Sequence, residues 1–183
     1  SDQFSVVKGA GKLVATSTNV LTGRRSRLAV RPSASRSFHH GFSTVSKFFL
    51  PGKTWLAKFE EDLWRGLGEM AAGAEPPPIF EDQYISCGGQ IAEILLGHDL
   101  MVIDVRPEAF RALGLEDSAL TSHPYDLCSE LLVREAGAII ERPTGGRLRD
   151  PLDTTSAVSF VAYANASLAR KVRPVIKRLL AVR

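Results

Sequence analysis

Ser122-His123-Pro124-Tyr125-Asp126-Leu127, continued by Cys128-Ser129-Glu130-Leu131-Leu132-Val133-Arg134-Glu135-Ala136-Gly137, is the stretch from which the fold is read. Pro124 pushes the residue before it towards extended backbone, so a helix cannot run through His123. Asp126 then stands where a helix N-cap belongs, with Leu127, Leu131, Leu132 and Ala136 at helical spacing behind it. Gly137 supplies the stop. Ala138-Ile139-Ile140-Glu141-Arg142 reads as a strand, closed by the turn Pro143-Thr144-Gly145-Gly146. A carboxylate is thus offered at the positive end of a helix that packs back onto a sheet. Such a place suits a metal ion, and it equally suits a plain cap.

Outward from this stretch, helices and strands alternate. Leu100-Met101-Val102-Ile103-Asp104-Val105 is apolar up to Asp104 and reads as a buried strand of a central sheet. Gly88-Gly89 leads into a helix over Gln90–Leu96, ended by Gly97, and Pro107 opens a short helix to Leu113. Ala157–Tyr163 is the last strand. Asn165 caps a terminal helix to about Leu180, in which Pro174 predicts a kink. An amphipathic helix starts at Lys53 or Thr54 and runs to about Met70. Leu56, Phe59, Leu63 and Leu67 form its buried stripe, with Glu60, Glu61 and Arg65 outside it. Further upstream, residues 1–8 and 12–16 read as strands around a Gly turn, and Arg27–Arg31 as a short strand. Phe38, Phe42, Val45 and Phe49 are spaced for a helix over Ser35–Phe49. The alternation indicates an α/β layered fold: a mixed sheet with helices packed against it.

Composition narrows the function classes. The chain has 183 residues, with 44% hydrophobic and 23% charged side chains, as expected of one well-cored domain or a domain plus an arm. No apolar run approaches the roughly 20 residues needed to span a membrane. Cys87 and Cys128 are too few for a disulfide framework, so a reducing, cytoplasmic setting and packing as small apolar residues are expected. Residues 1–53 hold nine Lys or Arg and one acid, Asp2, a net +8; the other 130 residues carry 14 basic and 19 acidic side chains, a net −5. That asymmetry fits either an anion-binding face or a solvated basic arm. The arm has no interleaved aromatics and no nucleic-acid motif, which argues against nucleic acid as a partner. No Ser-His-Asp arrangement, Walker loop or Cys-x-x-Cys is present.

His-Pro-Tyr-Asp running into a helix that ends Glu-Ala-Gly resembles the C-terminal signature of the inositol monophosphatase family, the magnesium-dependent, lithium-sensitive sugar phosphatases. Two further pieces fit in order. Ile85-Ser86-Cys87-Gly88-Gly89-Gln90-Ile91 is similar to that family's Ser-x-Gly loop opening a helix. Asp150-Pro151-Leu152-Asp153-Thr154-Thr155, a strand, and Tyr163-Ala164-Asn165 are similar to its C-terminal end. The resemblance covers roughly Phe80 onwards. The family's main metal motif, Asp-Pro-(Ile/Leu)-Asp-Gly-Thr, occurs nowhere in the chain. The resemblance therefore implies the C-terminal portion of a longer phosphatase, with no complete catalytic set of its own. It divides the chain into a basic arm, residues 1–53, left from an N-terminal half, and a C-terminal α/β domain, residues 54–183.

By the same resemblance Asp126 is a Mg2+ ligand. Gly88, Gly89 and Gln90 face the substrate, a phosphorylated small molecule, and Asp104 and His123 lie near its hydroxyls and phosphate. Each has a plainer reading from the residues alone: N-cap, strand–helix turn, strand-end turn and hydrogen-bonded structural histidine. Glu81 and Asp82, adjacent on an extended segment, read as a surface pair. One carboxylate holds magnesium poorly, because that ion takes several oxygen ligands. The expectation is a magnesium-dependent phosphomonoesterase whose missing half comes from an upstream portion, or association into a homo-oligomer through exposed sheet surface. The alternative is a truncated remnant acting as a structural or interaction module.

Overall fold

The structure, a computed structural model, describes residues 1–9, 13–48, 51–73, 75–79, 86–115 and 120–182. The Gly11 turn, Phe49, Ile85 and the Glu81–Asp82 pair lie outside the described residues. The elements in chain order are β1 (Asp2–Val6), β2 (Leu13–Thr18), β3 (Arg25–Arg27), β4 (Phe42–Val45), α1 (Lys53–Leu67), α2 (Cys87–Leu96), β5 (Asp99–Asp104) and α3 (Arg106–Ala112). A 3-10 turn (Pro124–Leu127) follows, then α4 (Glu130–Glu135), β6 (Ile139–Glu141), β7 (Phe160–Tyr163) and α5 (Ala166–Ala181).

Two sheets result. The main sheet has the order β4-β5-β7-β6, parallel between β4 and β5 and antiparallel elsewhere; β1-β2-β3 form a small antiparallel sheet. Every residue of β5 is buried, and Leu100, Met101, Val102 and Ile103 are fully so. Burying each of these side chains contributes about 1.5–3 kcal/mol, which makes this strand the centre of the core. Helices α2 and α5 pack onto the sheet, and α1 packs against α5 and α3. The mixed sheet with helices against it is the α/β architecture expected from the alternation.

Three elements differ from expectation. Residues 42–45 form a strand, not part of a helix: Ser43, Thr44 and Val45 are buried beside β5, and Phe38 is fully buried in the core. Gly41 explains part of this choice, because a Cβ there would come within 2.8 Å of Leu100 Cγ. Helical periodicity in residues 35–49 was thus outweighed by pairing along a buried strand. The main sheet accordingly draws one strand from the N-terminal side of residue 53. Second, the short strand expected over 27–31 sits earlier, at Arg25–Arg27. Third, Glu60 lies 8% exposed, not outside the apolar stripe, because Lys47 forms an ion pair with it.

The upstream segment is tied down. Asn165 caps α5 by accepting from the backbone N–H groups of Ser167 (2.9 Å) and Leu168 (3.1 Å). Its amide also donates to the carbonyls of Ser33 (2.9 Å) and Ser35 (2.8 Å). One side chain therefore ends a helix and anchors residues 33–35. On the far edge Arg173 of α5 grips Glu141 of β6 through two bonds, 2.7 and 2.9 Å. That forked geometry raises the Arg173 pKa, chiefly through its hydrogen bonds to Glu141.

Candidate functional site

The backbone of His123 is extended, φ −119° and ψ 167°, as the following proline requires. Pro124 then occupies the first turn of the 3-10 segment, and the turn closes on itself. The Asp126 backbone N–H donates to the His123 carbonyl at 3.0 Å, while the Asp126 carboxylate accepts from the His123 N–H at 2.9 Å. His123 Nδ1 lies 3.8 Å from Asp126 Oδ2, and the ring stacks on Tyr125 at 5.4 Å between centroids. Asp126 is therefore not the N-cap of the helix ending at Gly137. That helix, α4, begins only at Glu130, behind Ser129, which makes no side-chain cap bond. The physical reason is direction: the Asp126 carboxylate reaches back to close the proline turn and leaves the forward N–H groups alone. Its side chain remains 31% exposed.

Asp104, at the end of β5, has the opposite surroundings. It is fully buried, and the first residues of α3 close over it. Arg106 donates through Nε (2.9 Å) and its backbone N–H (3.1 Å) to Oδ1, and through Nη2 (2.6 Å) to Oδ2. Ser122 adds its hydroxyl to Oδ2 at 2.6 Å. Arg106 also reaches Ser122 Oγ (3.1 Å) and the Leu120 carbonyl (3.3 Å), with its guanidinium 5.2 Å from the Phe48 ring centroid. The guanidinium and the hydrogen bonds offset the cost of taking this carboxylate out of water. Both of its oxygens are occupied.

Cys87 joins this network to α2. Its thiol lies 3.1 Å from Ser122 Oγ, and burial pushes its pKa up to about 11, against the lowering effect of that hydrogen bond. Burial thus disfavours the thiolate, the nucleophilic form of the side chain. Cys128, expected to pack inside, is exposed. Ser86 caps α2 by accepting from Gly89 N–H at 3.0 Å. A side chain at Gly88 would meet nothing within 4 Å, so the start of α2 opens onto free space there. Gln90, by contrast, is buried.

Helix α2 packs against the 3-10 turn, and between them lies a recess of about 200 Å³. Cys87, Arg106, Ser122, His123, Tyr125 and Asp126 line it, with Phe48, Leu120 and Thr121. The fold thus brings together His123, Asp126 and the residue preceding Gly88, while Asp104 lies beneath them and Gln90 faces the core. Sequence reasoning missed Arg106, Ser122 and Cys87. The signal available for the first was an arginine, two residues after Asp104, interrupting an otherwise apolar run. Nothing local marked Ser122, which is 18 residues from the carboxylate it serves.

The fit to magnesium follows from the donors. Among the described residues no three His, Cys, Asp or Glu side chains converge as a metal site. Asp126 offers one carboxylate with one oxygen already taken by a backbone N–H. Magnesium wants near-octahedral oxygen ligands, and the carboxylate below, Asp104, has none to spare. The described residues therefore do not make a magnesium site by themselves.

The sequence matches no family profile and no curated protein. Among solved structures, the chain is similar to the extragenic suppressor protein SuhB of Bartonella henselae, at a TM-score of 0.51 and 16% identity, over 91% of this chain and 53% of that one. It is also aligned with an inositol monophosphatase from Zymomonas mobilis, at a TM-score of 0.45 and 14% identity, over 90% of this chain and 57% of that one. The chain spans about half the length of these structures. At such identity the likeness to SuhB is one of fold.

Proposed function

We propose that this chain is the C-terminal half-site of a phosphomonoester hydrolase of the inositol monophosphatase type, acting on a phosphorylated sugar, inositol or nucleotide. The observation that carries the proposal is the recess itself. The accessible carboxylate of Asp126 and the ring of His123 sit against the open N-terminal end of α2, on a fold shared with SuhB. A helix N-terminus with a glycine facing open space suits a phosphate oxygen, and Asp126 suits a hard cation beside it. The remaining oxygen ligands for Mg2+ would come from a further segment carrying the Asp-Pro-x-Asp-Gly-Thr motif. The cation's contribution would be to activate water and neutralise the leaving oxygen. This chain's part is to position Asp126 through the proline turn and to hold the start of α2 against it.

The closed Asp104–Arg106–Ser122 network favours a second reading, a structural or interaction module in which the ancestral site is sealed. Magnesium-dependent phosphate release from inositol monophosphate separates the two. The chain is assayed alone, with the motif-bearing segment, and with that segment and Asp126→Asn. Activity that needs the segment and falls at least roughly a hundredfold with Asp126→Asn supports the hydrolase. No activity with the segment bound would favour the module.

A further inference from the structure

The β2–β3 connection is a closed, ordered tip. Asn19 Oδ1 accepts from the backbone N–H groups of Leu21 and Thr22, each at 3.0 Å, and the Asn19 N–H donates to the Arg24 carbonyl at 2.9 Å. Gly23, at φ 69°, turns the chain back. Held there, Val20 and Leu21 are 76% and 93% exposed. A turn fixed so that two aliphatic side chains face solvent marks a place where something covers them.

The charges around the tip narrow what that is. Thr16 pairs with Arg27 and Thr18 with Arg25, and strand alternation puts these residues on one face of the small sheet, with the exposed Val14. Arg25 lies along this face, donating to Thr16 Oγ1 at 3.1 Å and Gln3 Oε1 at 3.3 Å, both neutral acceptors. The other face carries Phe4 and the buried Ala15 and is turned to the body of the protein. Beside Val20 and Leu21 lies an open hollow of about 690 Å³, in which Ser17, Thr18, Thr22 and Ser26 supply hydroxyls and Arg24 is the only charged side chain. Asp2, opposite Ser17 on β1, does not line it, and no acid occurs from Gln3 to Lys53. Hydroxyls and an arginine without a carboxylate suit a phosphate. Valine and leucine offer no ring on which a nucleic-acid base could stack, whereas an aliphatic tip ringed by arginines matches headgroup phosphates lying over acyl chains.

We propose that this tip docks on an anionic phospholipid surface. Val20 and Leu21 enter the boundary between headgroups and acyl chains, a lipid phosphate sits in the hollow at Arg24, and Arg25 and Arg27 lie against neighbouring headgroups. The net +8 segment is drawn to such a surface and the net −5 remainder is repelled from it, which sets the orientation. The inference is independent of the hydrolase reading, because no residue of the small sheet lines the recess beside Asp126.

The test is flotation of the full chain with vesicles of phosphatidylcholine alone, and of phosphatidylcholine mixed with an equal part of phosphatidylserine, at low and high salt. The unsubstituted chain is expected to float with the mixed vesicles, not with the neutral ones, and to detach as salt rises. Leu21→Asp, and Arg24→Gln together with Arg25→Gln, are each expected to weaken binding at least roughly tenfold. All of these sites are exposed, so the substitutions leave the core undisturbed. Leu21→Trp reads the depth: its added fluorescence should be quenched by phosphatidylcholine brominated on the acyl chains. A chain that stays free of the mixed vesicles, or a tryptophan that is not quenched, overturns the proposal. So does binding that Leu21→Asp leaves unchanged, which would mean that the basic segment adsorbs by charge alone. Single-stranded RNA bound more tightly than the mixed vesicles would overturn it in favour of a nucleic-acid partner.

Discussion

Asp104 and Asp126 were both read from the sequence as site residues, and they lie near one another, yet the chain treats them oppositely. Asp104 is sealed by four hydrogen bonds, three from Arg106 and one from Ser122. Asp126 accepts one backbone N–H and stays at the surface of a recess. The difference is one of remaining capacity. A carboxylate whose lone pairs are filled by a buried guanidinium and a hydroxyl organises structure, and it cannot also hold a sugar hydroxyl without losing a partner. A carboxylate that closes a turn with one oxygen keeps the other for a ligand. Under the proposed hydrolase reading a ligand is expected at Asp126, with Asp104 as the support underneath.

The largest effect expected from this comparison is at the sealed pair. Arg106→Leu leaves Asp104 buried without its cation and should destabilise the fold by roughly 3–5 kcal/mol, measured from urea midpoints. A loss below about 1 kcal/mol would mean that water reaches Asp104 and that the contrast is false.

A third carboxylate sharpens the point. Asp99, at the other end of β5, is 5% exposed, and its pKa is pushed from 3.8 to about 7 by burial, then by the charge of Glu93, with His98 opposing. Glu93 is itself paired with His98 Nδ1 at 2.6 Å. The native state here favours the protonated acid. This contribution is therefore fully present below pH 4, where the unfolded chain is also protonated, and is lost as pH rises to about 7. The displacement corresponds to about 4 kcal/mol at most. Asp99→Asn should flatten the stability–pH curve between 4 and 7 relative to the unsubstituted chain. Parallel curves for the two proteins would refute the assignment.

The smallest effect belongs to the open site. Asp126→Asn keeps an acceptor for the His123 N–H and should change stability by no more than about 1 kcal/mol, by the same urea titration. A large loss would place Asp126 with Asp104 among the structural carboxylates and weaken the half-site reading.

Much of the molecule was legible from local chemistry. The Gly97 stop, the Asn165 cap, the buried run of β5 and the amphipathic α1 all follow from signals contained within a few residues. Pro124 correctly predicted a break before Tyr125. The helix expected behind an Asp126 cap nevertheless began three residues later, since two ways of using one carboxylate look alike in a sequence. Residues 35–49 failed for a different reason: their apolar spacing satisfied a helix, and the adjacent β5 edge was not visible.

By itself, then, the sequence determined the α/β alternation, the Asn165 cap, the glycine stops, the charge asymmetry and the ordered set of motifs around Asp126. Those depend on backbone preference and side-chain period, which act over three or four residues. Tertiary structure alone decided that β4 enters the main sheet, that Lys47 draws Glu60 inside, and that Ser122 and Arg106 seal Asp104 while Asp126 stays open. Each of those outcomes turns on whether a polar group finds a partner when it leaves water, and on whether a strand finds an edge. Those partners are set by how distant segments cross, with desolvation making the wrong crossing costly.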